Sequence, residues 1–228
     1  MGKQLRNEDK DKKKYENSKV KDLAVHAEKF LYYEEIILGK SYNTVRSYRR
    51  DIYQFIDYLN EYEEITKFDD VETITVRSFI AYLNSGDKSR QSSMESDGEK
   101  KEKPVNPVSK RSINRKISAL RTFFKYLQEK QIVKINKISY ITMPKFEKEL
   151  PNILNKEDLN KLRDVINTGK ITGVRDRLII EMLYSSGMRA SELIDLSEYM
   201  INIPEREIRV IGKGDKERIT FFSETARK

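Results

Sequence analysis

Apolar residues recur every three or four positions through most of the chain, and the period shortens only near the C-terminal end. The stripe Leu23, Ala27, Phe30, Leu31, Ile37 and Leu38 predicts a first helix over residues 22–38, with Gly39 as its stop. His26 lies beside that stripe and reads as a packed or half-exposed side chain. SYNTVRSYRRDIYQFIDYLN predicts a second helix, capped by Asn43 or Thr44. Its apolar face is Val45, Tyr48, Ile52, Phe55, Ile56 and Leu59, with Arg46, Arg49, Arg50 and Tyr53 on the other side. A third helix, over 75–84, turns Val76, Phe79, Ile80 and Leu83 inward. A fourth, in SKRSINRKISALRTFFKYLQEK, packs Ile113, Ile117, Leu120, Phe124 and Leu127. On it Arg111, Arg115, Ser118, Thr122 and Lys125 recur at steps of four, three, four and three, which lines them along one face.

Between and around these helices the pattern fails in informative places. Residues 1–19 carry mixed charge and almost no apolar side chains, which predicts a disordered tail. Residues 85–107 are polar and punctuated by Gly and Pro, which predicts a flexible insertion. MPKFEKELPNIL holds two prolines and no helical period, so a linker is expected at 142–150. Beyond it, NKEDLNKLRDVI opens a helix with Asn155 as cap and acidic residues in its first turn. GVRDRLIIEMLYSSG makes another, with Leu178, Ile179, Met182 and Leu183 inward, and a short helix follows at 190–196. YMINI, EIRVI and ERITFF then read as short strands, the last two joined by the tight turn GKGD. The expected fold is mainly α with a small antiparallel β-sheet. It comprises a helical domain over 20–141 and a mixed α+β domain from 151 to 228.

Composition narrows the chemistry. Only 37% of the 228 residues are hydrophobic and 36% are charged, with a net charge of +8. A polyanion is therefore the first partner to consider. These residues include no cysteine and one histidine, which rules out a disulfide scaffold, a thiolate metal site and a multi-histidine metal site within them. No metal or other cofactor is expected. No apolar stretch approaches the length of a membrane span, and the N-terminus does not read as a signal peptide, so no membrane partner and a cytoplasmic location are expected.

Two features carry candidate chemistry. Duplex DNA rewards cations spaced along a rigid surface, because each neutralised phosphate releases counterions, and hydroxyls between them add neutral donors. The candidate contacts are Thr44, Arg46, Arg49 and Arg50 on the second helix, and Arg111, Arg115, Ser118, Thr122 and Lys125 on the fourth. Solvated faces of ordinary helices have the same composition, so both readings stand at this point. The second feature is YSSGMRASELIDL, where two serines and Gly187 interrupt a helical pattern just before Arg189. A guanidinium on a fixed backbone can grip two phosphate oxygens at once. Glu192 follows three residues on, so the two also read as an ordinary surface pair. Lys213, between two glycines at a hairpin turn, is either a groove-reaching cation or a solvated turn lysine.

Taken together, GMRASELIDL followed by RVIGKGDKERI resembles the start of the catalytic domain of the tyrosine recombinase (phage integrase) family, in its Xer-like bacterial branch. SYNTVRSYRRDIYQFIDYL and SINRKISALRTFFKYL resemble the DNA-facing helices of that family's SAM-like core-binding domain, and MPKFEKELPNILNKEDLNKL its linker and first catalytic-domain helix. The resemblance covers residues 20–220, apart from the insertion. It implies site-specific DNA recombination through a phosphotyrosine link, as in chromosome dimer resolution or DNA integration. Neither ATP nor metal is implied. Arg189 would clamp the scissile phosphate, and Lys213 would protonate the departing 5′ oxygen. Lys216 and Arg218 would be neighbouring hairpin residues. The implied partners are a duplex recombination site and further recombinase subunits in a tetrameric synapse of the full-length form.

The family pattern continues with His-x-x-Arg, a further His or Trp, and a tyrosine nucleophile, none of which follows the hairpin in these residues. His26 lies in the wrong domain, and Tyr184 and Tyr199 precede the hairpin. The expectation is a catalytically incomplete chain, a fragment or truncated product, that binds DNA without cutting it. A natural non-cutting module that occupies recombination sites and an unrelated basic helical DNA-binding protein are the alternatives.

Overall fold

Four helices turn their apolar stripes inward to build the first half of the molecule. The computed structural model describes residues 14–85, 108–143, 153–212, 214 and 216–227. The chain divides into two units, Met1–Lys148 and Glu149–Lys228. In the first, α1 (Lys21–Tyr32) and α2 (Tyr42–Tyr58) each run on through a π-helical turn, at Tyr33–Ile37 and Leu59–Glu63. α3 (Thr73–Ser85) and α4 (Lys110–Glu129) complete the bundle. Phe30, Phe55, Phe79, Phe123 and Phe124 are fully buried. Their rings meet tilted or edge-on, with Phe30–Phe123, Phe55–Phe79 and Phe68–Phe123 centroids each 5.1 Å apart, so the quadrupoles add to the area buried.

Several local expectations change. Neither Asn43 nor Thr44 caps α2; Ser41 holds the N-cap position, its hydroxyl 2.9 Å from that of Thr44. Ile37 and Leu38 leave the stripe of α1 and are exposed, because the π turn adds a residue and shifts the phase. Tyr53 is buried rather than on the outer face. Its ring stacks on Tyr15 at 5.3 Å and its hydroxyl donates to Glu28 Oε1 at 2.6 Å. Tyr15 is itself buried, so the chain is packed from within the segment read as a tail. Val108 donates its N–H to the Leu83 carbonyl at 3.1 Å, so the chain re-enters the bundle where it left it. Residues 1–13 of the expected tail, 86–107 of the insertion, 144–150 of the linker, and Lys213 lie outside the described residues.

The second unit holds α5 (Lys156–Val165), α6 (Ile171–Ser186), α7 (Ala190–Ile194) and α8 (Glu224–Arg227) around a three-stranded antiparallel sheet. Its order is β1 (Ile201–Asn202), β2 (Glu207–Ile211), β3 (Glu217–Phe221), with Arg209 opposite Ile219. The mainly helical class with a small antiparallel sheet is the observed one. Asn155 caps α5 by accepting the Asp158 N–H at 2.8 Å. The small core gathers Met182, Met188, Ile208, Val210 and Phe222. Leu178 and Ile179, expected inward, are exposed. Met182 is buried as expected, α6 also buries Gly173 and Glu181, and Gly173 lies so near Asn167 that a Cβ would sit 1.9 Å from its carbonyl oxygen. No helix among the described residues is long and apolar enough to cross a membrane.

Candidate functional site

The break before Arg189 is a built corner. Ser185 and Ser186 fold back onto α6, donating to the carbonyls of Glu181 (2.6 Å) and Met182 (2.5 Å). Gly187 takes the left-handed conformation, φ 64°, and its N–H closes on the Leu183 carbonyl at 3.1 Å. Thr220 of β3 donates to the Ser186 carbonyl at 2.6 Å, and Met188 drops into the core. The turn is thereby pinned to the sheet and to the core, and Arg189 emerges from it at the start of α7.

Glu192 then receives four bonds. Its Oε2 accepts the Arg189 backbone N–H (2.7 Å) and Arg218 Nη2 (2.7 Å); its Oε1 accepts Arg189 Nη1 (2.8 Å) and Arg218 Nη1 (2.9 Å). The Glu192 side chain is only 6% exposed, whereas that of Arg189 is 69% exposed. The Arg218 hydrogen bonds, followed by the Arg189 N–H, hold the Glu192 carboxyl well below the usual carboxylate range against the effect of burial. Two guanidinium charges thus face one carboxylate, and Arg189 keeps donors for an anion. Gly212 donates its N–H to the Lys216 carbonyl at 2.8 Å, and a Cβ there would lie 3.3 Å from Arg218 Nη1. Gly214 has φ 77°, which a side chain resists. The two glycines flanking Lys213 therefore serve different needs, room at one and backbone handedness at the other.

The basic stripes are partly joined and partly diverted. Asp51 is fully buried between α2 and α4; it accepts from Arg115 and, at 3.0 Å, from Lys116 Nζ, and Arg50 Nε is 4.0 Å away. Three cations thus surround one carboxylate, and Arg50 and Arg115 of the two stripes meet across it. Burial pushes the Lys116 ammonium down. Arg46, Arg111, Ser118 and Lys125 are exposed. Arg49 is diverted: Glu28 of α1 accepts from both its Nη1 and Nη2, the latter at 3.0 Å, and its side chain is 16% exposed. Thr122 directs its hydroxyl proton to the Ser118 carbonyl at 3.0 Å, so it offers an anion no proton in this rotamer.

Sequence reasoning missed Asp51, Lys116 and Glu28, and set Arg218 aside. A signal for the first two existed. Asp51 falls in the apolar phase of Tyr48 and Phe55, and Lys116 in that of Ile113 and Leu120. Opposite charges at core positions of two packed helices announce a buried pair. Glu181 is a similar buried anchor, accepting from Arg163 (2.8 and 2.6 Å) and Arg177 (2.8 Å). Burial alone would raise its carboxyl, but these hydrogen bonds outweigh it and lower it.

Residues 152–228 match the model of the phage integrase family, and residues 28–96 that of the phage integrase N-terminal SAM-like domain. The chain is 32% identical over 199 residues to the tyrosine recombinase XerD of Listeria monocytogenes, covering 87% of this chain and 60% of that one. It is also 32% identical over 192 residues to XerD of Staphylococcus aureus, covering 84% and 58%. The chain thus spans about 60% of the length of these curated relatives. Among solved structures, the fold is similar to a XerH site-specific recombinase bound to its difH substrate (TM-score 0.56, 18% identity, 88% of this chain and 54% of that one). It is also similar to a lambda integrase tetramer bound to a Holliday junction (TM-score 0.58, 14% identity, 85% and 50%). The SAM-like and integrase models match in that order and together span more than half of the chain, its relatives at 32% identity are tyrosine recombinases, and the chain belongs to the phage integrase family.

Proposed function

We propose that these residues form the DNA-binding and phosphate-gripping portion of a site-specific DNA recombinase. The observation that carries the proposal is Arg189, bonded to Glu192 at a pinned helix restart with most of its side chain exposed. In this reading residues 20–141 are the core-binding domain, laying Arg46, Arg50, Arg111 and Arg115 along duplex DNA with Thr44, Ser118 and Lys125 beside them. Residues 151–228 belong to the catalytic domain. Arg189 grips the scissile phosphate and offsets the charge that builds in the five-coordinate transition state. Lys213 gives its proton to the departing 5′ oxygen. The nucleophile is a tyrosine outside these 228 residues, so this chain assayed alone binds DNA and leaves it uncut. The complexes with difH and with a Holliday junction favour a duplex recombination site as partner and several subunits in the working assembly. Chromosome dimer resolution and DNA integration both fit this chemistry, carried out in the cytoplasm.

Binding is measured by fluorescence anisotropy on duplex DNA over a range of salt. Arg46→Ala and Arg111→Ala should each lower the slope of log K against log salt by about one, while Glu61→Ala leaves it unchanged. Arg115 is not used, since its loss would also unbalance Asp51. Cleavage is then tested with a nicked duplex selected for tight binding from a random library. No covalent band should form with the 228-residue chain. One should form when the C-terminal part of a XerD relative is appended, and it should fall by about 10²–10³ in Arg189→Ala. Equal slopes for all three variants, or a covalent band from the 228 residues alone, contradicts the proposal.

A further inference from the structure

Arg189 alone is a poorly restrained side chain. It is largely exposed, and its guanidinium hydrogen-bonds Glu192 three residues on through Nη1. One bond from an exposed guanidinium is weak against the entropy of its long side chain unless the acceptor is itself held in place. A clamp that acts by preorganised charge needs its guanidinium placed before substrate arrives. Something else must therefore fix Glu192.

We infer that Arg218 is a positioning residue: by bridging both oxygens of Glu192 it fixes the carboxylate that holds Arg189. The inference rests on the reading of Arg189 as a phosphate clamp. Fork-to-fork pairing specifies the plane of the carboxylate as well as its position. The remaining directions on the same two oxygens are taken by the Arg189 backbone N–H and Nη1. Rotation of Glu192 would break bonds to both arginines, so the two guanidiniums are fixed as one set. Room for the fork is made by Gly212, where a Cβ would lie 3.3 Å from Arg218 Nη1 and 3.6 Å from Glu192 Oε1. Arg209, the other arginine of the hairpin, supplies an internal control. It forks onto Glu217 within the sheet at 3.0 and 2.7 Å and makes no bond to Glu192 among the described residues.

The test uses the 228-residue chain with ¹⁵N-labelled arginine. In the unaltered protein the Arg189 Nε–H order parameter should lie near the rigid limit, about 0.85, and in Arg218→Gln it should fall below about 0.6. Arg218→Lys keeps the charge but cannot bridge both oxygens, so it should behave like Arg218→Gln. Gly212→Ala should shift it in the same direction by less, and Arg209→Gln should leave it unchanged. The ¹³C titration of the Glu192 carboxyl should move up in Arg218→Gln, which reports loss of the fork, while the fall in Arg189 order is the response that a hairpin staple acting only on stability would not produce. Undiminished Arg189 order in a folded Arg218→Gln, or in Arg218→Lys should the first variant unfold, overturns the inference. Duplex binding is measured on the same samples. A chain that shows the Arg189 response yet binds no DNA contradicts the recombinase reading and leaves the positioning of Arg189 standing.

Discussion

Thirty buried apolar side chains join in one core in the N-terminal unit, and five do in the C-terminal unit, among the described residues. The first unit packs interlocking phenylalanines and holds a buried charge cluster at Asp51. The second hangs its elements on carboxylates that arginines surround: Glu181 ties α5 to α6, and Glu192 ties α7 to β3. Ile171, Val174 and Leu178 of α6 lie exposed in line with the buried Met182, so an apolar stripe is covered only at its C-terminal end. Apolar side chains carry no group that titrates, whereas ion pairs respond to both pH and screening by salt. The first unit therefore rests chiefly on apolar burial, and the unit bearing Arg189 leans more on ion pairs, which respond to solution conditions.

The largest effects should come from the core of the first unit. Phe124→Ala should cost about 3–5 kcal/mol in urea unfolding, whereas Ile219→Ala on the exposed face of the sheet should stay within about 0.5 kcal/mol. Equal costs would erase the contrast between the units. Asp51→Ala should also be severe, about 3–5 kcal/mol, because it leaves Lys116 buried without its carboxylate. Adding Lys116→Met should recover part of that loss, and no recovery would mean that the charge cluster is not the cause.

Acid should separate the units by a smaller margin. The carboxyls of Glu181, Glu192 and Glu217 are all lowered in the folded chain. Their stabilisation is complete above the unfolded value, about 4.3, and is lost as pH falls through the folded values. Glu34 in the first unit runs the other way, since burial raises its carboxyl. Its contribution improves as pH falls from above the raised value toward the unfolded one. Amide NMR followed from pH 7 to about 3 should lose the sheet before the bundle. Loss of the bundle first would reverse the assignment.

Much of this was legible beforehand. The four-helix pattern, the short strands and the Ser-Ser-Gly break follow from spacing and backbone chemistry that act locally. What the sequence did not show shares a cause: the partner lies far along the chain. Tyr53 is drawn inward by Tyr15 and Glu28, Arg49 is paired with Glu28, and Arg115 with Asp51. Periodicity assigns a face to a residue but cannot tell which cation on that face has an acid waiting on another helix. The π turn after α1 is a different case, since its change of phase leaves no sign in the composition of YEEII.

Hydrogen exchange on the 228-residue chain, free and then bound to duplex DNA, tests the account most directly. In the free chain the amides of α2 and α4 should open only with global unfolding. Those of β1–β3 and of Gly187–Glu192 should exchange at least about a hundredfold faster. DNA should slow the Gly187–Glu192 segment, because the phosphate completes the charge set around Arg189. A free chain in which the sheet is as protected as α4, or a DNA complex in which Gly187–Glu192 exchanges as before, would contradict it.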